Sequence, residues 1–500
     1  MASTMHGPAA PDQALEGSGR LDRATWVLGG VLMLGSVMAV LDTTVVNVAI
    51  PTLAAEFASS VSAISWVITA YLLAFATVIP LTGWASQRFG AKRVWLASLT
   101  AFVAGSVLAG VSTSIAELIV FRVVQGVAAG MIMPLAQTIL AQAVGPQRVG
   151  RVMSIIAVPM LLAPVLGPVL GGAIVEQASW RWIFFVNLPV GAVAILSAWR
   201  LLPASPARPG QRLDVLGVLL LTPGIALLIY GLSLVSASGS ADLGSVLQAA
   251  AGLALIAAFL WHARGRAGAL IDLSLFRQPG FATASAASLL IGIALFGTLL
   301  LIPLYFQVVR GETALGTGLL LAPQGLGAAL AMPFAGRATD RIGAHRVVPV
   351  GVLLAVLGIA AYTQVTPDSS SPLLAGALFV IGLGLGSTFL PAMAVAYRAV
   401  AREQMPAASS ALNTIQRIAG SIGTALLAVV LQRAIGAEVP SLAGGLDGIG
   451  RLPAAALARA LPLLAHAFDT AFWVALALTA AALVPALLLG PWRRARAERA

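Results

Sequence analysis

The 500-residue chain contains no cysteine, which excludes disulfides, thiolate metal sites and cysteine nucleophiles. Charge is scarce as well. Charged residues make up 9% of the chain, against about 25% in a soluble protein. With 29 Lys+Arg and 18 Asp+Glu, a 50.9 kDa globule cannot clothe itself for water, so most of its surface must meet lipid. Histidine is sparse too: His6, His262, His345 and His466 are scattered, and no acidic cluster accompanies them. No metal or cofactor is therefore expected, and a multispan enzyme such as a lipid or polysaccharide transferase lacks its reacting groups. A phosphate-binding G-x-x-x-x-G-K-[ST] loop is also missing, which argues against ATP as the energy source.

Apolar length is what the chain has in abundance, at 59% hydrophobic and a mean hydropathy of +0.96. About 30 Å of hydrocarbon needs about 20 apolar residues at a 1.5 Å rise. Fourteen runs meet that need, near 25–50, 62–83, 94–112, 115–143, 150–175, 182–199, 215–235, 245–261, 282–308, 314–335, 347–366, 373–398, 408–432 and 470–490. Residues 452–468 are apolar but hold Arg459, and read as an amphipathic stretch on the outer interface. With the N-terminus inside, 22 basic residues fall in cytoplasmic segments and 5 in outer loops, a strong positive-inside bias. The net charge of +11 is thus topological, and nucleic acid is not an expected partner.

The chain also repeats itself. Gly83–Trp95 (GWASQRFGAKRVW) and Gly336–Val348 (GRATDRIGAHRVV) align with an offset of 253 residues. Each lies between the second and third helices of a six-helix set. The expected organisation is a cytoplasmic tail 1–24, a bundle 25–201, a linker 202–281 with two extra helices, a second bundle 282–490 and a basic tail 491–500. Two such bundles would be related by a pseudo-two-fold axis.

Asp42 is the one acidic residue that these boundaries place well inside a span, and intramembrane ionisable groups are costly and usually functional. Burial disfavours the charged form of a carboxyl, so Asp42 either binds and releases a proton or is a paired group ahead of Pro51. Arg122 lies at nearly equal depth. Asp42 is about 12 Å from the exit of the first span, and Arg122 about 10 Å from the entry of the fourth, at 1.5 Å per residue.

Five segments then carry a resemblance: LDTTVVNVAIP (Leu41–Pro51), the Gly83–Arg93 loop, FRVVQGVAAG (Phe121–Gly130), GPVLGG (Gly167–Gly172) and SWRWIFFVNLPVG (Ser179–Gly191). In that order, on this hydropathy profile, the chain resembles the major facilitator superfamily, specifically the 14-helix drug:proton antiporters of the QacA/EmrB type. The resemblance implies an all-α integral membrane fold of two six-helix bundles with two inserted central helices. It implies a proton-coupled exporter of drugs or other amphipathic molecules working by alternating access. The alternative on the same fold is a proton symporter, or an exporter of one specific metabolite. Arg122 matches the family's arginine implicated in proton transfer, and Gly167, Pro168, Gly171 and Gly172 match its antiporter motif. Gly83, Arg88, Gly90, Lys92, Arg93, Asp340 and Arg341 match its cytoplasmic gate, although Gln87 stands where the first copy should have an Asp.

Asn47, Gln125, Asn413, Gln416 and Arg417 are the polar candidates for a substrate cavity. With no acid in the C-terminal spans, an anionic or neutral substrate is as open as a cationic one. The aromatic residues Trp66, Tyr71, Phe296 and Tyr305 are expected to face lipid. A single Lys among 29 basic residues and abundant Ala point to a GC-rich bacterial genome and a bacterial inner membrane. If an outer membrane is present, a periplasmic adaptor and an outer-membrane channel are possible partners.

Overall fold

The structure is a computed structural model and describes residues 23–144, 167, 170–205, 207–238, 242–266, 268–442 and 453–489. All regular structure among these residues is helical. The first bundle contains α1 (Arg23–Val48), α2 (Ile50–Glu56), α3 (Val61–Phe89), α4 (Ala91–Gly110), α5 (Ile115–Val144), α6 (Trp182–Phe185) and α7 (Asn187–Leu201). The inserted pair is α8 (Val215–Ser238) and α9 (Leu243–Ala263). The second bundle follows with α10 (Pro279–Val308), α11 (Ala314–Ile342), α12 (Ala344–Ala360), α13 (Ser371–Arg398), α14 (Met405–Glu438), α15 (Ala454–Ala481) and α16 (Leu483–Leu487). Twelve of the described helical segments are long and apolar enough to cross a bilayer, and Ala344–Ala360 is a shorter apolar helix. The expected fifth span lies mostly outside the described residues, which take up the chain as helix at 170–177.

The repeat extends well beyond its loop. Ser60 caps α3 by accepting from Ala63 N at 3.2 Å, and Thr313 caps α11 by accepting from Gly316 N at 3.0 Å. Pro80 and Pro333 interrupt the two helices at matching positions. Both helices end on a glycine at positive φ, +87° at Gly90 and +86° at Gly343. That left-handed backbone reverses the chain into the next helix, and a Cβ there is strained. Each of these pairs is separated by the same 253 residues, and the packing repeats with them. In the first bundle α5 packs on α3 and α4; in the second, α13 packs on α11 and α12.

At the Gly90/Gly343 end, buried side chains from both bundles form one continuous core, from Leu32 and Trp95 through Leu140 to Met393, Met405 and Leu412. At the opposite end the core divides. Val46, Leu53, Ile64 and Phe184 belong to the first bundle, and Leu301, Tyr305, Leu431 and Phe468 to the second. The molecule is closed at one end and parted at the other.

The inserted helices pack on each other, and α8 also lies against α3 and α14. Their ends are tied by buried Asp214, which accepts from His262 Nε2 at 2.9 Å, Gly217 N at 3.0 Å and Leu270 N at 3.2 Å.

The last span departs from the sequence reading. Residues expected to lie apart on the outer interface are instead the first half of α15, which runs unbroken from Ala454 to Ala481. The stretch is rich in Ala and Leu, strong helix formers without glycine, and Leu464 and Phe468 bury themselves completely in the second-bundle core. Pro462 is accommodated inside the helix. A second consequence concerns Asp469, which now lies within this helix, so Asp42 is not alone in being helix-borne. Asp469 Oδ1 accepts from Val365 N, in the turn after α12, at 2.8 Å.

Candidate functional site

Asp42 faces inward from α1 and is 2% exposed; Arg122, on α5, is 1% exposed. They form an ion pair, NH1 donating to Oδ2 at 2.5 Å. Among the described residues these are the only charged residues fully buried. Further hydrogen bonds surround the pair. Gln125 Nε2 donates to Asp42 Oδ1 at 3.0 Å and its Oε1 accepts from Arg122 NH1 at 2.8 Å. Arg122 Nε donates to Val67 O at 3.3 Å, and its guanidinium lies 4.0 Å from the centroid of the Tyr71 ring. Asn187, at the start of α7, donates to Asp42 Oδ1 at 3.2 Å and to Ser106 Oγ at 3.0 Å. Ser106 Oγ in turn donates to Phe184 O at 2.9 Å. Such additional hydrogen bonds offset the desolvation cost of a buried ion pair.

A second polar group joins the bundles at the closed end. From α14, Ser409 Oγ donates to Pro134 O at 2.9 Å, Ser410 Oγ to Ile79 O at 2.9 Å and Asn413 Nδ2 to Gln137 Oε1 at 2.7 Å. Tyr397 OH reaches the same Gln137 oxygen at 3.5 Å, and Arg402 donates to Gln142 O. Gly83 lies against Pro406 and Ala407 across the same seam.

The family model described as Major Facilitator Superfamily matches residues 32–424. The chain belongs to the Major Facilitator Superfamily. It is therefore a multi-pass membrane transporter and not an enzyme. It is 40% identical over 501 residues to the "Multidrug resistance protein B homolog" of Mycobacterium tuberculosis, covering 96% of this chain and 93% of that one. To the "Multidrug export protein EmrB" of Escherichia coli it is 34% identical over 402 residues, covering 79% and 78%. Two solved structures share the fold. The human organic anion transporter MFSD10 has a TM-score of 0.63 at 18% identity, covering 94% of this chain and 100% of that one. The proton:xylose symporter XylE has a TM-score of 0.59 at 12% identity, covering 92% and 94%.

The transporter brings some of the expected site residues together and separates others. Asp42 and Arg122 touch. Gln125, expected on a cavity wall, is fully buried as part of their network. Asn413, with the same expectation, is buried in the seam between bundles. Gln416 is half-buried, its Nε2 3.7 Å from Met393 Sδ. Asn47 is exposed on α1, and Arg417 is exposed on α14 with its guanidinium 4.2 Å from the Phe75 ring centroid.

The antiporter-motif glycines Gly167 and Gly171 press on α1 within the first bundle. A Cβ at Gly167 would meet Thr44 Oγ1 at 1.9 Å, and one at Gly171 would meet Val45 O at 2.9 Å. Gly172 faces open space, and Pro168 lies outside the described residues.

The gate residues divide likewise. Lys92 Nζ donates to Trp199 O at 2.8 Å and Leu202 O at 2.6 Å, capping the end of α7. That lashes the loop to its own bundle and does not cross to the other. Arg88 is half-buried, Arg93 and Arg341 are exposed, and the Asp340 side chain lies outside the described residues.

Two aromatic residues expected to face lipid do not. Tyr71 and Tyr305 are fully buried; Tyr305 OH donates to Thr366 O at 2.7 Å, and Tyr71 lies beneath Arg122. Trp66 stays 41% exposed beside Tyr230, and Phe296 is half-buried. Asn187 and Ser106 had no role in the sequence reading. One signal was present: Asn187 is the one polar side chain after Arg181 in Ser179–Gly191.

Proposed function

We propose that the transporter exports amphipathic small molecules, drugs among them, in exchange for protons by alternating access between its two bundles. The observation that carries this is the fully buried Asp42 carboxylate, held by Arg122 and two amides. As a carboxylate, Oδ2 accepts from Arg122 NH1. A proton placed on Oδ2 turns that acceptor into a donor, and two donors then face each other. Arg122 must turn toward Gln125 Oε1 and Val67 O, or shift over Tyr71. Such a rearrangement at the first-bundle wall is how one proton biases a two-state packing.

The positive-inside bias supports both termini being cytoplasmic in a bacterial inner membrane, with 25–201 and 282–490 as the rocking bodies and 202–281 as the linker. On that orientation the closed end is cytoplasmic and the structure faces outward. An adaptor and outer-membrane channel belong to this proposal only if the host has an outer membrane.

The test is efflux from proteoliposomes with an imposed pH gradient. Asp42→Asn is expected to insert normally and to lose gradient-driven transport, while Asp42→Glu retains part of it. Wild-type pumping and gradient dissipation by Asp42→Asn would move the proton site elsewhere.

A further inference from the structure

The charges near the bundle interface do not balance. Asp42 and Arg122 neutralise each other inside the first bundle. The side chain of Arg417, on α14 of the second bundle, has no carboxylate or hydrogen-bond partner among the described residues. It lies twelve residues past Met405, about 18 Å along a 34-residue helix. One turn earlier on the same face, Asn413 crosses to Gln137. Arg417 thus stands just where the closed seam ends and the bundles begin to part.

Its guanidinium is 4.2 Å from the Phe75 ring centroid, so the contact comes from the opposite bundle. Phe75 is 6.2 Å from Tyr71, which separates Arg417 from the Asp42–Arg122 pair. Cation–π contact takes up the guanidinium face. It leaves the five N–H donors at the edge without an acceptor. The side chain remains exposed although Asn413, Thr414 and Ala419 around it are buried. Phe296 of α10 lies close to α14 at Gly420, one turn further on.

From this arrangement we infer that the space where the bundles part takes amphipathic anions, aromatic carboxylates or sulfonates, with the acidic group on Arg417 and the apolar body against half-buried Phe296. A planar fork of donors matches such oxyanions bidentately. A cation in the same place meets an uncompensated positive charge. The inference names the substrate class for the export reading above and rests on it for direction, but binding to Arg417 does not require a gradient.

The experiment uses the full chain in lipid nanodiscs at uniform pH. Its probes share one body and differ in charge: naphthalene-2-sulfonate and N,N,N-trimethyl-2-naphthylammonium. Equilibrium binding of the sulfonate is expected to be at least about tenfold tighter than that of the ammonium, the range of a charge-assisted hydrogen bond. Arg417→Gln should abolish that preference and Arg417→Lys should keep part of it, with thermal melting confirming that both variants fold. Undetectable sulfonate binding, equal wild-type affinities, or an unchanged sulfonate affinity in Arg417→Gln would overturn the inference. Should Arg417→Gln not fold, the wild-type comparison of the two probes decides alone. The readout is independent of Asp42→Asn transport, so failure of proton drive and failure of anion recognition are separately visible.

Discussion

Gln125 and Asn187 donate to the same oxygen of Asp42, Oδ1, at 3.0 and 3.2 Å, one from α5 and the other from α7. The carboxylate is therefore fixed from two helices, while its other oxygen is left to Arg122.

Asn187→Leu keeps side-chain volume and removes both donated bonds, to Asp42 and to Ser106. A hydrogen bond to a charged group contributes about 1.5–3 kcal/mol. The variant should melt several degrees lower and transport more slowly than wild type. Unchanged melting and transport would show that Asn187 only fills space.

Arg122→Gln leaves a buried carboxylate without its cation, at a cost of about 3–5 kcal/mol. Asp42→Asn introduced with it removes the orphaned charge, so the double variant should melt above Arg122→Gln alone. Both should be inactive in gradient-driven efflux. A double variant that melts no higher would mean the pair is not coupled as drawn.

Gln137 receives Asn413 and Tyr397 from the second bundle. Gln137→Leu should loosen the closed end. Because the chain has no native cysteine, Ala407→Cys at the seam is a clean probe. Its alkylation from the closed side should rise about tenfold in the Gln137→Leu background, for about 1.4 kcal/mol of closure lost. Equal alkylation rates would place the closing energy elsewhere in the seam.

Burial acts to raise the carboxyl pKa of Asp214, but bonds from His262, Gly217 and Leu270 outweigh it and hold the group below its ordinary value. A depressed carboxylate contributes stability that is complete above the unfolded value, about 3.9, and is lost as pH falls through the folded one. The melting difference between wild type and Asp214→Asn should shrink as pH falls below about 4. A difference that grows as pH falls below about 4 would reverse the sign.

The spans and the repeat were legible because lipid demands length and apolarity, both countable in one dimension. The meeting of Asp42 with Arg122 was legible as well, since depth along a helix is only residue number times rise. Rotation about the helix axis was not. Gln125 and Tyr71 point into the first bundle and Asn47 does not, and nothing in a uniformly apolar helix marks which face is inside. The seam was hidden for a related reason: Ser409, Ser410 and Asn413 look like ordinary small polar residues until α14 is laid across Pro134 and Gln137. In α15, weak amphipathicity and Arg459 suggested an interface, but helix continuity and the burial of Leu464 and Phe468 decided otherwise.

The duplicated frame carries the Asp42–Arg122–Gln125 network once. The 253-residue offset that relates Gly90 to Gly343 takes Asp42, Arg122 and Gln125 to Leu295, Ala375 and Leu378. If the proposed exchange runs through Asp42, its one carboxyl carries at most one proton per turnover. At about 2.3 kcal/mol per charge per 100 mV, and about 1.4 kcal/mol per tenfold ratio, a neutral cargo is limited to a gradient of roughly fiftyfold per 100 mV. An anion leaving as the proton enters moves two charges in the same sense, and the potential acts on both. Under the proposed exchange the limit then rises to about two thousandfold per 100 mV, and the reach of export would depend on the charge of what is expelled.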